Sequence, residues 1–138
     1  MKSFLIAALM IVSWASCKKI KENIQEKQVL NFITNGQWKV TKLTQGSVDY
    51  TGDFSGYQFQ FKTNEMVDAF KNGAWQKSGA WHPDAVNYTI TSTFPTDALH
   101  PLPLLNGTWK IVDGGDNFVV ATKTENGIFN ELRLEKVS

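Results

Sequence analysis

The clearest period in this chain is two. Tyr57, Gln58, Phe59, Gln60, Phe61 and Lys62 place three aromatics on one face and three polar groups on the other, the pattern of a half-buried antiparallel strand. Val86, Tyr88, Ile90, Ser92 and Phe94 alternate with Asn87, Thr89, Thr91 and Thr93, which predicts a second. Trp75, Lys77, Gly79 and Trp81 share one side of a strand beginning at Ala74, and in the last strand Leu132 and Leu134 alternate with Glu131, Arg133 and Glu135. Further strands are expected over Gln37–Thr44, Glu65–Phe70, Thr108–Val112, Asn117–Thr122 and Ile128–Val137. Turn chemistry separates them at Thr63–Asn64, Asn72–Gly73, His82–Asp84, Asp113–Asp116 and Asn126–Gly127. About eight strands with short turns and no crossover helix predict an all-β fold, an eight-stranded antiparallel up-and-down barrel.

Two connections are longer. Gly46–Gly56 is rich in Gly, Ser and Asp, and its Asp49, Thr51, Asp53 and Ser55 alternate as a calcium loop begins. Phe54 stands where that loop needs its turning glycine and Gln60 where it needs a bidentate glutamate, so the segment reads as a solvated connection. Pro95–Leu105 combines three prolines with Leu99, Leu102, Leu104 and Leu105. It is unable to stay regular and too apolar to stay in water, so it is expected to plug one barrel end, with a lid at a ligand mouth as the alternative.

The N-terminus follows another logic. A short basic start precedes the unbroken apolar run Phe4–Val12, nine residues, too short to span a bilayer and of the length and flanks of a secretory signal peptide. Residues 1–16 are therefore set aside as a signal peptide, 17–34 as a tether passing into a short helix in which Val29, Phe32 and Ile33 share a face, and 35–138 as the β domain. Cys17 is the single cysteine, so an exported chain closes no internal disulfide and carries a thiol needing another fate. Trp14, Ala15, Ser16 and Cys17 resemble a bacterial lipobox, although Trp14 replaces the usual aliphatic residue. The resemblance implies a diacylglyceryl group on Cys17, a membrane as partner through that anchor and, because Lys18 follows the cysteine, outer-membrane sorting. Multiple acyl chains make the anchor lasting, at about 0.8 kcal/mol per buried methylene.

Charge narrows the function. Removing the first 16 of 138 residues leaves 122, one domain with a core, and the loss of Lys2 brings the 14 basic residues to 13, equal to the 13 acidic ones. No basic stripe tracks phosphates, so no nucleic-acid partner is expected. Lys18, Lys19 and Lys21 form only a modest patch beside the proposed anchor. Two histidines in separate loops with no spare cysteine build no zinc set, no cofactor motif occurs, and no nucleophile elbow marks an enzyme.

Asn35, Gly36, Gln37 and Trp38, leading into an alternating strand, resemble the opening motif of the lipocalin-like proteins, and Asn106, Gly107, Thr108 and Trp109 repeat the pattern. From about Leu30 to Val137 the chain resembles a small bacterial lipocalin-like domain of the kind found in lipoproteins. The resemblance implies that Trp38 closes the barrel base and that Arg133, the single arginine, packs across it. It also implies a cavity. Tyr57, Phe59, Phe61, Trp75, Trp81, Tyr88 and Ile90 are the expected inward-facing residues, lining a pocket for a small apolar ligand. The competing expectation is a surface glycan- or protein-binding module in which Trp75 and Trp81 form an exposed stacking platform. No protein partner is identifiable from the residues.

Overall fold

The computed structural model of the protein describes residues 31–137, and within them the period-two alternation closes on itself. The strands are β1 Trp38–Gln45, β2 Val48–Asp49, β3 Tyr57–Phe61, β4 Met66–Lys71, β5 Ala74–Asp84, β6 Thr89–Thr93, β7 Gly107–Gly114, β8 Phe118–Glu125 and β9 Ile128–Lys136. Apart from the two-residue β2, which pairs only with β1, they make a closed eight-stranded barrel in which every pairing is antiparallel. Closure runs through β1 and β9, from Trp38 opposite Lys136 to Gln45 opposite Asn130. The weak seam is β1 against β3, which meet only at Trp38 and Phe59. Beyond that pair a loop replaces the ladder: Leu43 N–H donates to Thr51 Oγ1 at 3.0 Å, and Leu43 O accepts from Tyr50 N–H at 2.8 Å.

Antiparallel order puts alternate connections at opposite ends. The 46–56 and 94–106 loops and the 72–73 and 126–127 turns share the loop end; the chain enters β1 at the other, the entry end. At the loop end, 94–106 is a plug: Ala98, Leu102 and Leu105 are buried, with Leu102–Leu105 wound into a 3-10 turn. The 46–56 segment joins it, burying Phe54 against Tyr57 and Phe59. Across the top, His100 Nε2 lies 2.7 Å from Asp53 Oδ2 and its ring meets Tyr50 edge-on. At the entry end residues 31–34 are helical, Ile33 is buried, and Phe32 lies edge-on to Trp38 at 5.3 Å.

Three local expectations are corrected. His82–Asp84 is no turn but the end of β5, pairing with Thr91, Ile90 and Thr89. Proline is tolerated there because β4 ends opposite Ala80, so the N–H that Pro83 lacks would have faced no partner strand. The following turn belongs to Asp84, whose Oδ1 accepts from Val86 N–H at 3.1 Å and Asn87 N–H at 3.2 Å while Oδ2 accepts from the Asn87 amide at 2.8 Å. That side-chain scaffold overrides β propensity through residue 88, and Tyr88 takes a φ of 53° outside the strand. Third, β5 carries a bulge: Ala69 pairs with Lys77 but Phe70 with Trp75, so one extra residue turns Trp75 to the outer surface.

Candidate functional site

Inward positions fill the barrel. Phe59, Phe61 and Ile90, three of the expected lining residues, surround a central void together with Trp38, Trp109 and Leu105. Tyr57 and Trp81 are buried beside it, Tyr57 stacked on Phe59 and Trp81 edge-on to Phe61 at 5.3 Å, its indole N–H donating to Lys62 O at 2.9 Å. The void measures about 40 Å³. Trp75 and Tyr88 do not line it; they are 58% and 50% exposed.

The two glycine-x-tryptophan motifs do the same job at separate places. Trp38 Nε1–H donates to Ile33 O at 2.9 Å, and Trp109 Nε1–H donates to Leu105 O at 2.9 Å. Each indole thereby ties the segment before its strand to the core. A lysine covers each ring: Lys136 Nζ lies 5.5 Å from the Trp38 centroid, and Lys123 Nζ lies 4.8 Å from that of Trp109. Arg133 is not the cation over Trp38. It faces outward, stacked on Phe118 at 4.6 Å with Nε 3.2 Å from Glu135 Oε2, because β9 alternation sends Lys136, not Arg133, to the face shared with Leu132 and Leu134. Lys136 and Lys123 were missed in the sequence, yet parity finds them. Lys123 follows Val119 and Ala121 on the inner face of β8, where its ammonium donates to Asn106 O at 2.5 Å and Glu125 Oε2 at 3.0 Å. Gly107 makes the space, since a Cβ there would meet Lys123 Nζ at 2.9 Å.

A second constellation lies on the outer wall of β3, β4 and β5. Two rows cross these strands in register, Gln58–Phe70–Trp75 and Gln60–Asp68–Ser78. Trp75 Nε1–H donates to Ser78 Oγ at 3.1 Å, Ser78 Oγ–H to Asp68 Oδ1 at 2.6 Å, and Lys62 Nζ pairs with Asp68 Oδ2 at 2.6 Å. Burial acts to raise the Asp68 carboxyl, but the hydrogen bonds from Lys62 and Ser78 and the Lys62 charge outweigh it and hold the group below its ordinary value. Asp68 is therefore an anion at neutral pH that fixes Ser78, and Ser78 fixes the indole. Only one of the two tryptophans expected on an exposed platform is here, since Trp81 is buried.

Comparisons with known proteins bear on the fold. The chain superimposes on the crystal structure of a DUF4847 family protein from Bacteroides vulgatus ATCC 8482 with a TM-score of 0.55, at 13% identity over 80% of this chain and 99% of that one. The likeness is one of fold. An uncharacterized protein from Bacteroides eggerthii DSM 20697 aligns with a TM-score of 0.46 and 13% identity, covering 74% of this chain and 98% of that one. No family model and no curated protein matches the sequence. Among the described residues no helix is long and apolar enough to cross a membrane, and no three His, Cys, Asp or Glu side chains gather as metal ligands. Cys17 and the signal-like run lie outside the described residues.

Proposed function

We propose that the protein is a non-enzymatic, lipid-anchored component of the bacterial cell envelope that binds through its outer surface rather than carrying a ligand inside its barrel. The observation behind this reading is the size of the interior void. At about 40 Å³ it is roughly a quarter of the approximately 150 Å³ apolar cavity that takes benzene. Aromatic and aliphatic side chains fill the rest, so the barrel interior serves as a core. The anchor rests on Cys17 after the signal-like run and the lipobox resemblance, with the outer membrane as the expected destination. The chain enters the barrel at one end, so a tether from Cys17 would leave the side wall and the loop end free for a partner. Carriage of a small apolar ligand is the second reading, favoured by the purely side-chain latch between His100 and Asp53 that spans the two loop-end segments.

Two measurements test the proposal. Cys17→Ser should move the protein from the membrane fraction to the soluble one and abolish incorporation of radiolabelled fatty acid; equal labelling of both forms would end the anchor hypothesis. An apolar fluorescent probe should show no one-to-one binding and no quenching of tryptophan emission. Stoichiometric quenching that persists in a Trp75→Phe variant would instead put the probe among the buried indoles and favour the carrier reading.

A further inference from the structure

We infer that the outer wall of β3, β4 and β5 is a saccharide-binding site, with Trp75 as its stacking surface and Gln58 and Gln60 as its hydrogen-bonding groups. The inference rests on the outer-surface reading above and names its ligand class. A tryptophan left 58% exposed gives up much of the apolar burial that its size offers. Here exposure is built in. Had β5 kept its register past Ala69, Trp75 would have shared the inner face with Trp81; the bulge at residues 75–77 turns it outward. The ring is then fixed from its edge through Ser78, Asp68 and Lys62, at 3.1, 2.6 and 2.6 Å, a hold that uses the indole N–H and not its π surface. An aromatic already held in one orientation loses little conformational entropy when a ligand stacks on it.

The surroundings select the ligand. Phe70, half-buried, lies directly across from Trp75, and Gln58 lies across from Phe70. Neither Gln58 nor Gln60 has a hydrogen-bond partner for its amide among the described residues, so each offers donors and an acceptor to a ligand. Lys62 and Asp68 neutralise each other, so this wall carries no net charge to attract an acidic or basic peptide or an anionic headgroup. β4 is paired along both edges and β5 is paired on to β6, so strand addition could reach this wall only at the β3 edge beside the weak seam with β1, away from Trp75. Three strands and two rows cover about 10 Å by 7 Å, a footprint for roughly one or two pyranose rings. One apolar plane flanked by the neutral amides of Gln58 and Gln60 matches a neutral sugar, whose ring presents C–H groups on one face and hydroxyls around its rim.

Isothermal titration of the purified full chain with linear hexasaccharides of β-glucose, β-xylose and β-mannose tests this. At least one should bind the native protein, and Trp75→Ala should weaken it about tenfold or more, as truncating an aromatic anchor does. Trp75→Phe should retain part of the affinity. Ser78→Ala, which frees the indole but keeps it, should weaken binding roughly three- to fivefold at a temperature where the variant is still fully folded, with Ser78→Thr restoring the affinity, marking Ser78 as a positioning residue. Failure of all three saccharides to bind, or equal affinity of Trp75→Ala and the native protein, overturns the site. If the saccharides fail and the apolar probe also stays unbound, the saccharide assignment falls while the packed-interior reading stands; stoichiometric probe uptake overturns both.

Discussion

Trp38→Ala lowers the unfolding free energy by about 3–5 kcal/mol, the range for emptying a large buried aromatic site. Trp38 is 1% exposed and lies where three structural devices meet. Its backbone pairs with Phe59 at the single point where β1 meets β3, its ring meets Phe32 edge-on, and its indole N–H satisfies Ile33 O at 2.9 Å. Alanine removes the apolar area, strands that buried carbonyl and leaves Lys136 without the ring that its ammonium covers at 5.5 Å. Denaturant unfolding should show a lower midpoint with an unchanged slope. Trp38→Phe separates the contributions: it keeps most of the apolar area and loses the donor, so its cost should be about 1–3 kcal/mol. A loss below about 1 kcal/mol for the alanine variant would mean that the barrel is not closed through this residue.

The second large effect is expected of Leu105→Ala, at about 2–5 kcal/mol together with a gain of ligand binding. Leu105 is buried in the plug and borders the central void, and its carbonyl accepts from Trp109 Nε1–H at 2.9 Å. Truncation leaves that hydrogen bond in place and takes away only packing. The void of about 40 Å³ then grows toward the size that admits benzene. Benzene should raise the thermal midpoint of the variant and leave the native protein unchanged, because ligand that binds only the folded state stabilises it by mass action. A response from the native protein as well would show that the interior opens unaided and would favour the carrier reading. A cost near the lower limit with no benzene response would show that the plug settles into the space.

The pattern of residues was enough for the fold. Strict alternation in Tyr57–Phe61, paired turn residues at Asn72–Gly73 and Asn126–Gly127, and the absence of a crossover helix specify an antiparallel barrel, because side-chain parity and turn chemistry act over a few neighbouring residues. Parity also identified Phe59, Phe61 and Ile90 as lining residues, and the prolines and leucines of 95–105 identified a plug.

Parity fails where a distant partner resets it. Trp75 and Trp81 have the same parity in the chain, yet one is exposed and the other buried, because the bulge opposite Ala69 and Phe70 exists only once β4 and β5 are paired. The Asp84 turn takes Tyr88 out of a stretch that alternates well, through side-chain hydrogen bonds whose strength no propensity conveys. Arg133 is a different case, since the family resemblance put it across Trp38 while the alternation with Leu132 and Leu134 already sends it outward and Lys136 inward; Pro83 stays in a strand because β4 ends beside it. Residue pattern alone thus determined most of the strands, the Asn72–Gly73 and Asn126–Gly127 turns and the kind of closure. Only the tertiary structure decided which side chains share the core, how little room they leave, and that one tryptophan faces outward, because register, bulges and strand ends are set by pairings between segments far apart in the chain.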